Sequence, residues 1–252
     1  LNSLDTYFTM IVNKDKVILN SIYKAVVYDK SGTMIKERRF EKYIIEAVPV
    51  RDNFIVTKFM WDDNQHSAAI TFFYSPELKE IKRIYATYLL QDRKEGKFAM
   101  PPLGTFVRCT ENRIFLFDQQ KDTIKVFDTE GNSKPEIKFP YEKISTDIAF
   151  KKRVNDALKL EPVTKNAEPE FWKTIYIPEV LPVFRDCRII ADRLHIQTYR
   201  EKDGKSEFLI MDFAGNVKRK LFLPVNDRMQ IRYNPASTYD FYEGSYYYLI
   251  EN

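Results

Sequence analysis

Two aromatic residues, an imidazole and a guanidinium stand where apolar stretches of this sequence pass into polar connectors. They are Trp61, His66, Tyr199 and Arg200. An aromatic ring beside a cation can bind a sugar or a peptide, because the ring supplies apolar contact and the cation supplies charge-assisted hydrogen bonds. In the alternative, structural interpretation, Trp61 and Tyr199 cover sheet edges. These four residues form the predicted binding site, and no catalytic residue is predicted.

Carboxylate and amide side chains offer a second kind of site, a calcium centre. Ca²⁺ binds oxygen ligands from Asp, Glu, Asn and the backbone. The candidate ligands are Asp52, Asn53, Glu111, Asn112 and Asp186. The same residue types favour turns for backbone reasons alone. Calcium therefore stays an alternative, and neither a metal site nor a cofactor is predicted.

Histidine and cysteine are too few for the commoner reactive centres. A histidine zinc centre needs several converging ligands, and the chain has only His66 and His195. His195 lies in an alternating strand pattern and is interpreted as structural. Cys109 and Cys187 are far apart and have no CxxC spacing, which favours buried thiols and leaves a disulfide open. No G-x-S-x-G, P-loop or G-x-G-x-x-G motif occurs.

Charge and hydropathy exclude two further classes of function. The 252 residues include 40 basic and 36 acidic side chains, which gives a net charge of +4 with the signs interleaved. A nucleic-acid-binding protein more often shows a basic stripe. The densest basic clusters, at residues 151–153 and 218–220, are interpreted as solvated faces. No run of about 18 apolar residues occurs, so no membrane span is predicted.

Short strands are the elements that must position these residues. Between Asn112 and Asn132 two apolar runs, residues 114–117 and 124–127, are separated by a polar connector and followed by Gly131. Aromatic and β-branched residues bounded by Asp, Asn and Gly predict an antiparallel strand pair. Other stretches repeat this pattern, so the chain is interpreted as a repeat protein.

The spacing of the repeat predicts the fold class. The position after the third strand is occupied in turn by Asp29, Ser75, Asp128 and Asp212, at intervals of 46, 53 and 84 residues. The first two intervals suit the roughly 40–50 residues of a propeller repeat. The third fits either one repeat plus a helical insertion, which is preferred, or two repeats of which one is degenerate. Within the insertion, a helix is predicted over residues 147–160, and a proline-rich loop is predicted to follow as far as Pro182. We predict an all-β protein, a β-propeller of four-stranded antiparallel blades in one domain over residues 1–252. Its blades cover about 7–40, 43–85, 103–140 and 184–224, with a partial blade at 240–252 and the insertion at 145–182.

Blade topology explains the choice of binding residues. In a propeller, the loops that join the second and third strands of each blade lie on one face. That places the connectors 62–67, 118–122 and 200–205 on one rim. Trp61, His66, Tyr199 and Arg200 stand at the edges of this rim.

Several segments carry a family resemblance. The stretch I-F-L-F-D-Q-Q-K-D-T-I-K-V-F-D-T-E-G-N resembles a blade of the bacterial six-bladed β-propellers related to NHL repeats, found in Bacteroides-like bacteria and without assigned function. F-P-Y-E-K-I, L-I-M-D-F-A-G-N and G-S-Y-Y-Y-L resemble later blades of that family. The resemblance implies six blades in the intact protein, of which about four and a half are present here. It also implies an exported protein, periplasmic, in the cell envelope or secreted, with any lipid anchor outside this sequence.

Two functions remain open at this point. The first is a non-catalytic module that binds or scaffolds a protein, peptide or glycan partner. The alternative is a calcium-dependent hydrolase of the lactonase or esterase type on the same fold. The first is preferred, because the repeat is evident and the motifs of catalysis are not.

Overall fold

The computed structural model describes residues 9–13, 16–21, 23–61, 67–88, 98–99, 104–140, 142–160, 167–225, 239–242 and 244–248. Within these ranges most strands follow one another in four-stranded sheets whose order is the order of the chain. Neighbouring strands of these sheets pair antiparallel. This is the blade architecture of a β-propeller, and the predicted fold class is confirmed.

Four sheets account for most of the strands. The first sheet contains β1 (Thr9–Asn13), β2 (Lys16–Asn20), β3 (Lys24–Asp29) and β4 (Met34–Arg39). The second contains β5 (Ile44–Val50), β6 (Asn53–Trp61), β7 (Ser67–Tyr74) and β8 (Glu80–Tyr88). The third contains β10 (Thr105–Cys109), β11 (Ile114–Asp118), β12 (Thr123–Phe127) and β13 (Ser133–Lys138). The fourth contains β15 (Asp186–Ile190), β16 (Arg193–Lys202), β17 (Lys205–Met211) and β18 (Val217–Pro224).

The remaining elements lie between or after these sheets. They are β9 (Phe98–Ala99), α1 (Ile148–Leu160), α2 (Pro169–Lys173), β14 (Ile175–Tyr176), β19 (Tyr239–Tyr242) and β20 (Ser245–Tyr248). The helix predicted over 147–160 is confirmed as α1, and Asp147 Oδ1 caps it by accepting a hydrogen bond from Phe150 N at 2.6 Å. The segment after α1 was expected to be a proline-rich loop, and there the prediction was wrong in part. Pro169 begins α2, since a fixed φ suits the first helical turn. In the part of the chain described, neither helix is long and apolar enough to cross a bilayer.

The chain forms two compact units. The first consists of Leu1–Leu90, Val107–Phe117 and Lys125–Glu136, and the second of Gln91–Phe106, Asp118–Ile124 and Ile137–Asn252. In the first unit, both faces of the second sheet are buried. One face packs in a single cluster with Ile18, Ala25 and Val27 of the first sheet. The other packs against Val107, Ile114, Leu116 and Phe127. Face-to-face stacking of successive sheets is how propeller blades bury apolar surface.

Buried polar contacts fix the position of these sheets in the first unit. Glu46 on β5 accepts a hydrogen bond from Val107 N at 2.6 Å. The second oxygen of Glu46 lies 3.5 Å from a guanidinium nitrogen of Arg108. On the other side, Asn20 Nδ2 donates to Ala47 O at 3.1 Å. Each contact joins the second sheet to a neighbouring sheet, and hydrogen bonds make the relative position of sheets more specific than apolar packing does.

The turn after the third strand has the same hydrogen bonds in all four sheets. A side-chain oxygen at its first position accepts hydrogen bonds from backbone N–H groups two and four residues later. That position is occupied by Asp29, Ser75, Asp128 and Asp212. The residue three positions later has a positive φ: it is Gly32, Gly131 or Gly215 in three turns, and Leu78 with φ 56° in the fourth. The positions identified by spacing are therefore structurally equivalent.

In the second unit, aromatic side chains join the β19–β20 hairpin to the fourth sheet. Phe208 on β17 contacts the rings of Tyr239, Phe241 and Tyr246 at centroid distances of 5.1, 5.8 and 6.0 Å. Tyr247, the next residue, is 55% exposed. Alternation along β20 thus explains the Tyr246–Tyr248 run, as expected of a strand.

Two glycines with positive φ provide a matched test of packing at these turns. A methyl group added at Gly215 would lie 2.9 Å from Ile137 Cγ2, whereas one added at Gly32 would meet nothing within 4 Å. Both backbones are left-handed, with φ 91° and 83°. Gly32→Ala should cost about 1 kcal/mol of unfolding free energy. Gly215→Ala should cost about 1 kcal/mol more, because the buried isoleucine must move. Urea unfolding of both variants measures the difference, and equal losses would contradict the close approach.

The turn carboxylate of Asp128 should make stability depend on acid pH. Hydrogen bonds from Asn132, with the Lys134 ammonium 3.2 Å away, lower the pKa of Asp128 from 3.8 to about 2. The unfolded state therefore takes up this proton first, so the stabilisation present above about pH 4 is lost as pH falls towards 2. Asp128→Asn should show a smaller loss of stability between pH 5 and pH 3 than the parent protein, measured by urea unfolding. Asp203→Asn, in the exposed β16–β17 turn, is the control. If it reduced the loss of stability between pH 5 and pH 3 as much as Asp128→Asn does, the assignment of this pH dependence to Asp128 would be contradicted.

Candidate functional site

The structure places the four predicted binding residues in different settings. Trp61 is the last residue of β6, in the first unit. His66 lies outside the described residues. Tyr199 and Arg200 are consecutive on β16, in the second unit. Tyr199 is 7% exposed, its ring edge lies against Phe150 of α1, and the Arg185 guanidinium lies 5.3 Å from the ring centroid. A shared function of the four residues stays a prediction.

Arg200 belongs to a cluster of charges on the fourth sheet. Its guanidinium pairs with Glu142 and lies 3.9 Å from Glu207 Oε1. Glu207 is 4% exposed; the Lys220 ammonium lies 3.0 Å from it, and Thr198 Oγ1 donates to it at 2.9 Å. A buried carboxylate requires such partners, because desolvation of an isolated charge is costly. The cluster borders a cavity of about 50 Å³, which is room for a water molecule.

This cluster adds to one interpretation of the sequence. The basic residues 218–220 were expected to form a solvated face, and all three are exposed. In addition, Lys220 neutralises buried Glu207, and Lys218 lies 2.9 Å from Asp212 in the turn before β18. The Arg200–Glu142 pair also ties Glu142, six residues before α1, to the fourth sheet. Position in the fold, rather than charge density, decides the role of these lysines.

Three of the five candidate calcium ligands, Asp52, Asn112 and Asp186, have side-chain partners within the protein. In the first unit, Asp52 is exposed and lies 3.5 Å from the Lys16 ammonium. Arg51 donates to Asn112 Oδ1 and to the backbone carbonyl of Glu111, both at 3.1 Å.

Asp186, in the second unit, is buried under the hairpin. Its carboxylate accepts hydrogen bonds from the Tyr239 hydroxyl and from Cys187 N, both at 2.8 Å. Over the described residues, no three His, Cys, Asp or Glu side chains come together as a metal-holding group.

His195 and the cysteines occupy packed positions. The His195 ring lies 4.9 Å from that of Phe241, and burial, with Arg193 nearby, lowers the pKa of its imidazole. Cys109 and Cys187 are both free thiols, which settles the open question of a disulfide. Burial raises the pKa of the Cys109 thiol.

Helix α1 is attached to the fourth sheet along one side. Phe150 packs on Tyr199, and Arg153 pairs with Glu201 at 2.8 Å, so two consecutive turns of the helix contact the end of β16. The buried stripe of the helix, Val154 and Leu158, is covered by Trp172 of α2 and by β14 with the residue after it. Residues separated by three or four positions share a helix face. Phe150, Val154 and Leu158 therefore form one stripe of α1, which contacts β16 at one end and the α2–β14 region along the rest.

An open groove of about 460 Å³ runs beside that buried stripe. We call it the insertion groove. One wall is the next stripe of α1, formed by Lys151, Asn155 and Lys159; the other is formed by Trp172, Ile175 and Ile177, with Tyr176. Lys151 and Lys159 form no ion pair with a described residue, whereas neighbouring Lys152 pairs with Asp156 at 2.8 Å. The groove therefore has one cationic wall and one apolar wall.

Sequence reasoning missed this groove. The cluster at 151–153 was interpreted as a solvated face, and each of its three residues has a different environment: Lys151 lines the groove, Lys152 pairs on the helix surface and Arg153 binds β16. The available signal was the i, i+4, i+8 spacing of Lys151, Asn155 and Lys159. Such spacing predicts a stripe but not what faces it.

Comparisons with known proteins found similar solved structures but no matching family. No protein-family model and no curated protein matches the chain. Among solved structures, it is similar to BamB from Moraxella catarrhalis, at 11% identity and TM-score 0.42, covering 83% of this chain and 50% of that one. A DUF4221 family member from Bacteroides vulgatus shows 12% identity and TM-score 0.46, with 88% and 68% covered. The Pan2 WD40 domain of Neurospora crassa shows 9% identity and a TM-score of 0.40, and the match covers 86% of this chain and 51% of that one.

The extent of these similarities limits their use. The chain spans about half the length of the BamB and Pan2 structures. Because each TM-score is below 0.5, the assignment to the propeller class rests on the strand order and register of this chain itself.

Removal of the Arg200 guanidinium tests its structural role. Arg200→Gln should lower the free energy of unfolding by about 1 kcal/mol, because the ties to Glu142 and Glu207 are lost while Lys220 and Thr198 still partner Glu207. The measurement is urea unfolding at pH 7. Lys202→Gln, at an exposed position two residues later on β16, should change stability by less than about 0.5 kcal/mol. Equal effects of the two substitutions would contradict a stabilising role for the Arg200 ion pairs.

Proposed function

We propose that this protein is a non-catalytic binding or scaffolding module whose partner is a protein, bound as a peptide segment in the insertion groove. The observation that carries the proposal is the groove itself. Its volume of about 460 Å³ lies within the range of about 300–1,000 Å³ typical of ligand sites. Its walls present cations and apolar side chains that are only partly buried, and both are available to a partner.

The attachment of the walls supports this proposal. α1 is fixed to β16 by Phe150 and Arg153, and Trp172 packs against the buried stripe of α1. A site on such pre-positioned elements loses little conformational entropy on binding. Trp is also among the residues that contribute most to binding at protein interfaces. The blades thus serve as the support and the insertion as the recognition surface.

Two finer expectations belong to the same proposal. The intact protein is a six-bladed propeller related to NHL repeats, with a location outside the cytoplasm. The resemblance of the 114–132 and 209–216 segments to that family supports both. Reading of the full coding frame for further blades and an export signal tests them.

Panning of a random peptide library against the immobilised protein tests the binding function. The recovered peptides should bind in solution, measured by fluorescence anisotropy. Their affinity for the Asn155→Trp variant should be at least tenfold lower than for the parent protein, because the substitution places a bulky ring on the groove wall. Residue 156 provides the matched control, since Asp156 is the next residue on α1 and does not line the groove. Asp156→Trp should bind as the parent does.

The control decides the interpretation of the panning experiment. Both variants replace an exposed residue of the same helix with tryptophan, so a general effect on α1 would appear in both. Peptides that bind both variants equally well would contradict a function for the groove. Failure to recover any peptide that depends on the groove would remove the proposed function.

A further inference from the structure

The chemistry of the groove walls identifies a class of partner. Lys151 and Lys159 lie at the two ends of one wall, with the Asn155 amide between them. At 1.5 Å per residue, four helical residues span about 6 Å, so this wall presents ammonium, amide and ammonium groups about 6 Å apart. Opposite charges in the partner match the two ammonium groups, and a side chain with both donor and acceptor matches the amide.

The opposite wall indicates how the partner is oriented. Ile175, Tyr176 and Ile177 are consecutive, yet all three border the groove. Successive side chains of an extended segment point to opposite faces, so a groove bordered by three consecutive residues runs along the edge of that segment. The groove therefore runs parallel to this segment, and a ligand in the groove lies lengthwise along it.

The two walls fit one conformation of ligand. In a strand, every second side chain lies on the same face, about 6.7 Å from the previous one. This repeat is close to the roughly 6 Å between successive groups of the helical wall. Alternate residues of an extended peptide thus meet Lys151, Asn155 and Lys159 in turn. The intervening residues face Trp172 and the isoleucines.

We infer that the insertion groove binds an extended acidic peptide in which carboxylates four residues apart flank a polar residue, with apolar residues at the two positions between. The inference rests on the proposed function and specifies its ligand. Two carboxylates on one face of the peptide neutralise Lys151 and Lys159, and the central hydroxyl or amide meets Asn155. The apolar face packs against Trp172, Ile175 and Ile177, which form part of the cluster around Val154 and Leu158.

The probe is a fluorescein-labelled peptide with the core Asp-Ile-Thr-Ile-Glu, titrated with the folded protein and followed by anisotropy. The first comparison peptide, Ile-Asp-Glu-Thr-Ile, has the same composition without the alternation. The second, Lys-Ile-Thr-Ile-Lys, has the alternation with opposite charge. The acidic alternating peptide should bind at least tenfold more tightly than either, and its affinity should fall as salt is raised from 50 to 300 mM, because charge pairs are screened.

Charge reversal locates the site. Lys151→Glu together with Lys159→Glu should weaken the acidic peptide at least tenfold and should strengthen the Lys-Ile-Thr-Ile-Lys peptide. Lys152→Glu, on the same helix but outside the groove, is the matched control and should leave both affinities within about twofold. Circular dichroism and melting temperature of each variant confirm that the fold is kept, since all three lysines lie at the surface of α1.

The outcomes separate this inference from the function on which it rests. The inference is supported if the charge-reversed variant prefers the Lys-Ile-Thr-Ile-Lys peptide while the parent protein prefers the acidic peptide. Equal binding of the acidic peptide to the reversed variant, or equal binding of the scrambled peptide, overturns the assignment of an alternating acidic ligand. If panning recovers groove-dependent peptides without paired carboxylates, the ligand class is wrong and the binding function stands. If panning recovers none that depends on the groove, both fail.

Discussion

A sheet with apolar side chains on both faces is stable only when both faces are covered, and this constraint governs the first unit. The second sheet carries aromatic and aliphatic residues on both faces. Burial of such side chains contributes roughly 1.5–3 kcal/mol each, so the second sheet depends on both neighbours. The hydrogen bonds of Glu46 and Asn20 then select one position for each neighbour. Stacking provides the stability, and these few buried polar contacts provide the specificity.

The second unit applies the same physics to a different purpose. The hairpin covers one part of the fourth sheet through Phe208, and α1 packs against the end of β16 through Tyr199. Two ion pairs attach this region to β16. Glu142, which precedes α1, pairs with Arg200, and Arg153 of α1 pairs with Glu201. The insertion groove exists because α1 is held on one side by the sheet and on the other by Trp172. Its position is thus a property of the blade.

The elements that local chemistry determines were predictable from sequence, and the contacts between distant segments were not. Alternation of apolar residues, turn chemistry at Asp128 and Asp212, and helical spacing after Asp147 were sufficient to predict sheets, turns and α1. The roles of Lys220 and Lys151 depend on side chains that the fold brings together, Glu207 in one case and Trp172 in the other. Pro169 predicted a loop because proline interrupts most helices, although it also begins them. Arg200 was selected for its type, and its partners became visible only with the register of the fourth sheet.

The insertion has a consequence for how this protein can diversify. It enters the sequence between β13 and β15, and its groove-lining side chains belong to none of the four sheets. Substitutions at Asn155 or Tyr176 therefore leave the strand registers and the buried cores of the four sheets intact. Selection can change the recognition chemistry of the insertion freely while the ladder of sheets is conserved. Homologues with the same scaffold would then differ in specificity chiefly between residues 148 and 177.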